Sequence, residues 1–222
     1  MDFSVDAMME HSFVMVKDEA EYGLFCSRMG NAGFDVLPRE YLGLYPRGLM
    51  QCDAERVPMV ACALSHFVMV NMALAMDWPC VTIFEADAYP MNRCRDELDR
   101  LFSKSGVPDD AELLTLGNLH FIREYDNGGN DLCLYDVRNG YGRIKKDLWG
   151  AYAVIVFARG YETWLKNFRG HNNEFHADYF NQLAPMSYST DRSYFIQVKE
   201  HLEYPHWLRD RQYLCDFPDI QV

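Results

Sequence analysis

Cys80-Val81-Thr82-Ile83-Phe84-Glu85-Ala86-Asp87-Ala88-Tyr89-Pro90 is a short apolar run that stops abruptly in two carboxylates, Glu85 and Asp87. The run is long enough for one strand buried on both faces, as in a parallel sheet. Ligands of open α/β sheets bind at the carboxyl ends of the strands. Residues two apart in extended chain point the same way. Glu85 and Asp87 are therefore expected to face a common point, with Ala86 turned away. Two carboxylates converging there suit a hard divalent cation, or one metal contact plus one hydroxyl contact.

The flanking chain alternates strand and helix signals. Residues 12–16 (Ser-Phe-Val-Met-Val) predict a first strand, and 17–29 a helix with Asp18 and Glu19 placed for its N-terminal dipole. A second strand is expected at 34–37. Residues 38–56 are rich in turn formers and aromatics and show no clear period. Pro58 opens a helix running to about residue 76, where Asp77-Trp78-Pro79 stops it.

After the strand at 80–85, residues 92–104 predict a helix and 112–116 a strand closing on Gly117. Residues 118–148 carry many Gly, Asn, Asp and Tyr residues and are expected to form an irregular insertion with one hairpin. A strand at 151–157 leads into a helix at 159–168, with Tyr161, Trp164, Leu165 and Phe168 on its inner face. A helix at 174–183, a last strand at 193–198 and an aromatic tail at 201–222 complete the chain. This alternation points to an α/β layered fold in a single domain, a mixed sheet flanked by helices.

The chain has 222 residues and a formal net charge of −12, which makes nucleic acid and anionic membranes poor partners. An anionic ligand would need the charge locally reversed by a metal or by a few Lys and Arg. Its seven cysteines form no C-x-x-C pair, which suggests reduced, mostly buried thiols in a reducing compartment. The first ten residues are acidic and lack the regions of a signal peptide. No stretch approaches about 18 uninterrupted apolar residues; residues 57–76 are broken by Ser65, His66 and Asn71. A cytoplasmic protein without a transmembrane segment is expected.

Four segments stand in order: Ala61-Cys-Ala-Leu-Ser-His66, Phe84-Glu-Ala-Asp-Ala88, Leu114-Thr-Leu-Gly117, and Gly150-Ala-Tyr-Ala-Val-Ile-Val156 followed by Arg159-Gly160. The series resembles glycosyltransferase family 25, the lipopolysaccharide-type sugar transferases related to collagen galactosyltransferases. That family shows a Gly-Cys-x-x-Ser-His helix, a strand ending Glu-Asp-Asp-Ala, a Leu-Gly strand end and a Gly-x-x-Ala-Tyr-like strand before a helix. The opening Phe13-Val-Met-Val16 is also similar to its first strand, so the resemblance covers roughly residues 12–200.

The resemblance implies a GT-A fold, a Rossmann-like nucleotide-binding sheet with an acidic metal motif. It implies a nucleotide-sugar donor, commonly a UDP-hexose such as UDP-galactose with Mn²⁺ (or Mg²⁺), a glycan or lipid-linked saccharide acceptor, and inversion at the anomeric carbon. Two positions depart from the pattern. The family's middle acid is Ala86 here, and its Asn-Leu-x-Arg-like stretch is Val16-Lys17-Asp18-Glu19.

Transferred to this chain, Asp87 is the metal ligand and Glu85 binds the donor ribose or a metal-bound water. Lys17, Ser65 and His66 stand on the donor side. Attack by a sugar hydroxyl needs a general base opposite the donor; Asp178 is the candidate, with Glu174 and Asp191 as rivals. Trp149 and Gly150 are candidates for the acceptor-side wall. His171, His176 and Asp178 lack any recognised zinc-ligand spacing.

Overall fold

The structure is a computed structural model and describes residues 3–43, 57–117, 134–144, 152–170, 177 and 184–197. In chain order the elements are α1 (Val5–Glu10), β1 (Ser12–Val16), α2 (Glu19–Asn31), β2 (Arg39–Leu42), α3 (Val57–Ala75), β3 (Cys80–Glu85), β4 (Ala88–Pro90) and α4 (Cys94–Ser105). They continue with β5 (Leu113–Thr115), β6 (Leu134–Arg138), β7 (Tyr141–Ile144), β8 (Ala153–Phe157), a 3₁₀ turn (Ala158–Gly160), α5 (Tyr161–Gly170), β9 (Ser187–Thr190) and β10 (Phe195–Gln197).

Eight strands form one mixed sheet in the order β2-β1-β3-β8-β5-β9-β7-β6, and β10 pairs with β4 in a small second sheet. β1 runs parallel to β2 and β3; β8 runs antiparallel to its neighbours β3 and β5. β9 is parallel to β5, and the β6–β7 hairpin closes the far edge. The layered α/β fold expected from the strand–helix alternation is present, as a mixed sheet flanked by helices.

β3 is central, and its period-two pattern sorts side chains between two cores. Cys80 and Phe84 join Ala153, Ile155 and Phe157 of β8 on the face covered by α1, α2 and α4. Val81 and Ile83 join Val154 and Val156 on the face covered by α3 and α5. Phe67 of α3 stacks on Phe168 of α5 at 4.5 Å between ring centroids, and Trp164 stacks on Phe168 at 5.9 Å. Each fully buried large apolar side chain in these layers contributes about 1.5–3 kcal/mol.

α3 carries an 18-residue stretch, Pro58–Ala75, with mean hydropathy 1.6. By length and composition it is apolar enough to cross a membrane, despite the interruptions at Ser65, His66 and Asn71. In the fold it lies against the sheet, with Val60, Ala63, Met69, Val70 and Ala73 buried.

Local chemistry sets the start of α2. The Asp18 side chain accepts from the Glu21 N–H at 2.9 Å, and the Glu21 carboxylate accepts from the Lys17 N–H at 2.7 Å. This reciprocal cap fixes the turn that leaves β1. The helix consequently begins at Glu19 rather than at 17.

The second strand is displaced from its expected place. Residues 34–37 are not a strand: the Phe34 N–H closes on the Met29 carbonyl at the end of α2, and its ring is buried. The strand forms at Arg39–Leu42 instead, as the largely exposed edge of the sheet. α5 also begins later than 159, because Ala158–Gly160 makes a 3₁₀ turn first. The hairpin expected in the insertion is β6–β7, and it extends the main sheet. Of the expected helix at 174–183 only Ala177 is described, and it is helical and buried; the tail at 201–222 lies outside the described residues.

Two glycines mark close approaches. A Cβ on Gly117 would overlap the Phe195 carbonyl oxygen, and one on Gly160 would lie 2.5 Å from that of Glu112. Only glycine lets β10 cross the end of β5 and lets the turn after β8 rest on β5.

Candidate functional site

The site is built where β3 ends. The Glu85 N–H bonds the Tyr152 carbonyl at 2.9 Å, and the Ala86 N–H bonds the Met15 carbonyl at 3.1 Å. The turn Ala86-Asp87 is thus held between β1 and the start of β8, at the carboxyl edge of the parallel strands. By period two, Glu85 follows Val81 and Ile83 onto the α3 face. Ala86 falls on the opposite side and is buried in the core shared with α2 and α4.

Glu85 and Asp87 do meet at a common point, and the point is Gln197. Its side-chain amide donates to Asp87 Oδ2 at 2.9 Å and to Glu85 Oε2 at 3.4 Å. Gln197 ends β10 and pairs with Ala88 of β4, so the small second sheet delivers this amide to the acidic turn. Arg28 supports the turn from below. Its guanidinium donates to the Ala86 carbonyl and lies 4.0 Å from the centre of the Tyr89 ring. A cation on this backbone oxygen also offsets part of the negative charge of the two acids.

The other Glu85 oxygen faces α3. Cys62 and His66 are one turn apart on the helix surface that meets the sheet. The Cys62 thiol donates to Glu85 Oε1 at 3.2 Å, and His66 Nε2 lies 3.7 Å from the same oxygen. One ligand atom from each of Cys62, His66 and Glu85 lies within 4.8 Å of the others. His66 is fully buried, and neither ring nitrogen makes a hydrogen bond among the described residues.

The remaining expected site residues divide clearly. Ser65 is buried, and its hydroxyl donates to the Ala61 carbonyl at 2.8 Å, one turn back in α3. Lys17 follows β1 on the same sheet edge as Glu85; its ammonium is largely exposed and 3.4 Å from Glu21. Asp191 is exposed after β9, with its N–H on the Gly140 carbonyl at 2.9 Å, beside the hairpin. Trp149, Gly150, Asp178, Glu174, His171 and His176 lie outside the described residues.

Sequence reasoning did not find Gln197, Arg28 or Cys62 as members of the site. Cys62 had a signal: it stands four residues before His66 on a helix. Gln197 and Arg28 had none, because both reach the turn through contacts more than fifty residues away along the chain.

Chemically, the turn presents two kinds of donor set. Glu85 and Asp87 offer oxygen only, which fits a hard divalent ion that keeps several ligands from water and substrate phosphate. Cys62, His66 and Glu85 mix sulfur, nitrogen and oxygen, which suits a softer ion.

No family model matches the sequence, and no curated protein matches it. Among solved structures, the chain is similar to A197 from STIV, with 12% identity and a TM-score of 0.42 over 83% of this chain and 81% of that one. It is also similar to mannose-1-phosphate geranyltransferase from Thermus thermophilus, with 10% identity and a TM-score of 0.42 over 84% and 74%. Mouse xyloside xylosyltransferase 1 gives 8% identity and a TM-score of 0.33 over 82% and 73%. Likeness at this level assigns no activity to the chain.

Proposed function

We propose that the protein is a nucleotide-sugar-dependent glycosyltransferase of GT-A type, transferring a hexose such as galactose to a glycan or lipid-linked saccharide with inversion. The observation that carries this reading is the acidic turn. Two carboxylates close the central strand at the carboxyl edge of the sheet, and both are bound by one buried amide from β10.

Their oxygen-only donor set fits Mn²⁺ or Mg²⁺, with Asp87 as ligand and Glu85 beside it. Such an ion, when bound, supplies positive charge against the diphosphate that departs from the sugar. The chain's own residues do the rest. Arg28 and Gln197 hold the turn in place, and Lys17 at the end of β1 is placed to meet the donor. A carboxylate opposite the donor, for which Asp178 is the first candidate and Glu174 and Asp191 the rivals, takes the proton of the attacking hydroxyl.

A second reading is a catalytically degraded GT-A-like protein that binds a glycan or a partner. Ala86 favours it, because the middle position of the acidic turn is an apolar side chain sunk in the core. A nucleotidyltransferase is less favoured, since the Lys17–Glu21 turn after β1 is neither glycine-rich nor strongly basic.

Calorimetric titration with UDP and Mn²⁺ separates the first two. Binding of UDP that requires Mn²⁺ and is lost in Asp87→Asn, with an unchanged melting temperature, is the expected result. Hydrolysis of UDP-hexose should fall in that variant by about two orders of magnitude or more. Absence of metal-dependent UDP binding at millimolar ligand sinks the enzyme reading.

A further inference from the structure

We propose that Cys62, His66 and Glu85 form a second metal site at this turn, one that takes a thiolate-accepting divalent ion of the zinc type. It shares Glu85 with the oxygen-only pair, through the carboxylate's other oxygen, and does not depend on the transferase reading.

The geometry is the first support. Tetrahedral zinc with bonds of about 2.0–2.3 Å sets neighbouring ligand atoms roughly 3.4–3.6 Å apart. Here Cys62 Sγ to Glu85 Oε1 is 3.2 Å and His66 Nε2 to the same oxygen is 3.7 Å. The third separation is within 4.8 Å, so the set closes around an ion by roughly an ångström of side-chain adjustment.

The second support is His66 itself. Its side chain is 1% exposed, and both ring nitrogens are buried without a hydrogen bond among the described residues. A buried imidazole left in this state costs about 1–3 kcal/mol per unsatisfied polar group. A metal bond to Nε2 would remove that cost at one nitrogen.

The third support is the direction of Glu85. Its two oxygens are divided, Oε2 toward Gln197 and Oε1 toward the helix. It can ligate on the helix side as a single oxygen without leaving the acidic turn. Cys62 and Glu85 are partly exposed, which suits water as the fourth ligand. Three protein ligands with one open position is the pattern of a reactive rather than a purely structural zinc site.

Cobalt reports the ligand set directly. The metal-free full chain, titrated with Co²⁺ under reducing conditions, should bind one ion with a thiolate-to-cobalt charge-transfer band in the near ultraviolet. Added Zn²⁺ should bleach that band. Cys62→Ser, at a partly exposed position, should keep its melting temperature, lose the band and weaken binding by roughly 100-fold or more. Cys26→Ser, at another partly exposed thiol, should keep the band. No saturable binding of Co²⁺ or Zn²⁺ by the wild-type chain overturns the proposal. So does a charge-transfer band that survives in Cys62→Ser. Mn²⁺-dependent UDP binding is measured separately in both chains. Its absence in a chain that shows the cobalt band removes the transferase reading and leaves this site standing.

Discussion

Gln197 is the residue on which the acidic turn closes. Its side chain is buried, and one amide group donates to both Glu85 and Asp87. This neutral donation, together with the Arg28 guanidinium on the Ala86 carbonyl, lets the two carboxylates lie close. Gln197→Glu replaces that donor with a third acid. It should lower stability by about 1–3 kcal/mol, the cost of lost hydrogen bonds and like-charge contact at a buried position. Millimolar Mg²⁺ or Mn²⁺ should restore part of the loss, while NaCl at equal ionic strength should restore much less, because screening is weak for buried charges. Thermal melts of the variant in the two salts decide it. Equal rescue by both would mean that the carboxylates do not form a cation site. Ala86 makes the complementary point. It faces the core rather than the acids, so the chain's departure from an acidic triplet leaves the Glu85–Asp87 pair intact.

At the scale of elements, β10 is what couples the fold to the site. It crosses the end of β5 at Gly117, where a Cβ would overlap the Phe195 carbonyl oxygen and lie 3.1 Å from the Tyr152 ring. Gly117→Ala must push β10 outward, and β10 carries Gln197. The substitution should cost about 1–3 kcal/mol from overpacking and should also weaken Mn²⁺ binding, although position 117 touches neither carboxylate. Urea unfolding and metal titration of the same variant check both; destabilisation with unaltered metal affinity would uncouple β10 from the site. The strands that were legible in the sequence are those with apolar side chains on both faces. β1 and β3 fall where the pattern predicts, and β8 follows it closely. β5 and β10 lie inside the expected stretches 112–116 and 193–198, and β6–β7 is the hairpin expected in the insertion; β2 and β9 hide for physical reasons. β9 is Ser-Tyr-Ser-Thr, buried throughout, and its hydroxyls are satisfied locally: Ser187 donates to the Ala184 carbonyl at 2.8 Å and Thr190 to that of Arg192 at 2.7 Å. A polar strand satisfied in this way leaves no hydrophobic period to read. β2 is an exposed edge, so the apolar Phe34 segment outcompetes it in sequence while serving only to close α2. The site divides similarly. Glu85, Asp87 and His66 stand out as acids at a strand end and a histidine in an apolar helix, whereas Gln197 and Arg28 join through tertiary contacts that no local pattern encodes.

Across the whole molecule, burial of weak acids sets an alkaline limit on the fold. Burial pushes the Cys80 thiol up to about 12 from its ordinary 9.0. Burial is also the first cause that raises the Cys94 thiol and the Tyr141, Tyr161 and Tyr194 phenols, the tyrosines from an ordinary 10.0. The Tyr141 and Tyr161 hydroxyls make no hydrogen bond among the described residues, so no described group donates to their phenolates. Each of these groups keeps its proton in the folded chain at a pH where the unfolded chain has released it. The stability they confer is therefore fully present below the unfolded values, 9.0 for cysteine and 10.0 for tyrosine. It is lost as pH rises toward the folded ones. The slope approaches about 1.4 kcal/mol per pH unit for each group in that window. The net charge of −12 adds self-repulsion in the same direction. Urea unfolding between about pH 8 and pH 11 should show a plateau followed by a steepening fall. Tyr161→Phe isolates one contributor. It removes a hydroxyl without a hydrogen-bond partner among the described residues, so stability near neutral pH should change by less than about 1 kcal/mol. Above about pH 10 the variant should lose stability more slowly than the wild type, by up to about 1.4 kcal/mol per pH unit. Parallel alkaline limbs in the two proteins would show that the Tyr161 phenol ionises as easily inside the fold as outside it.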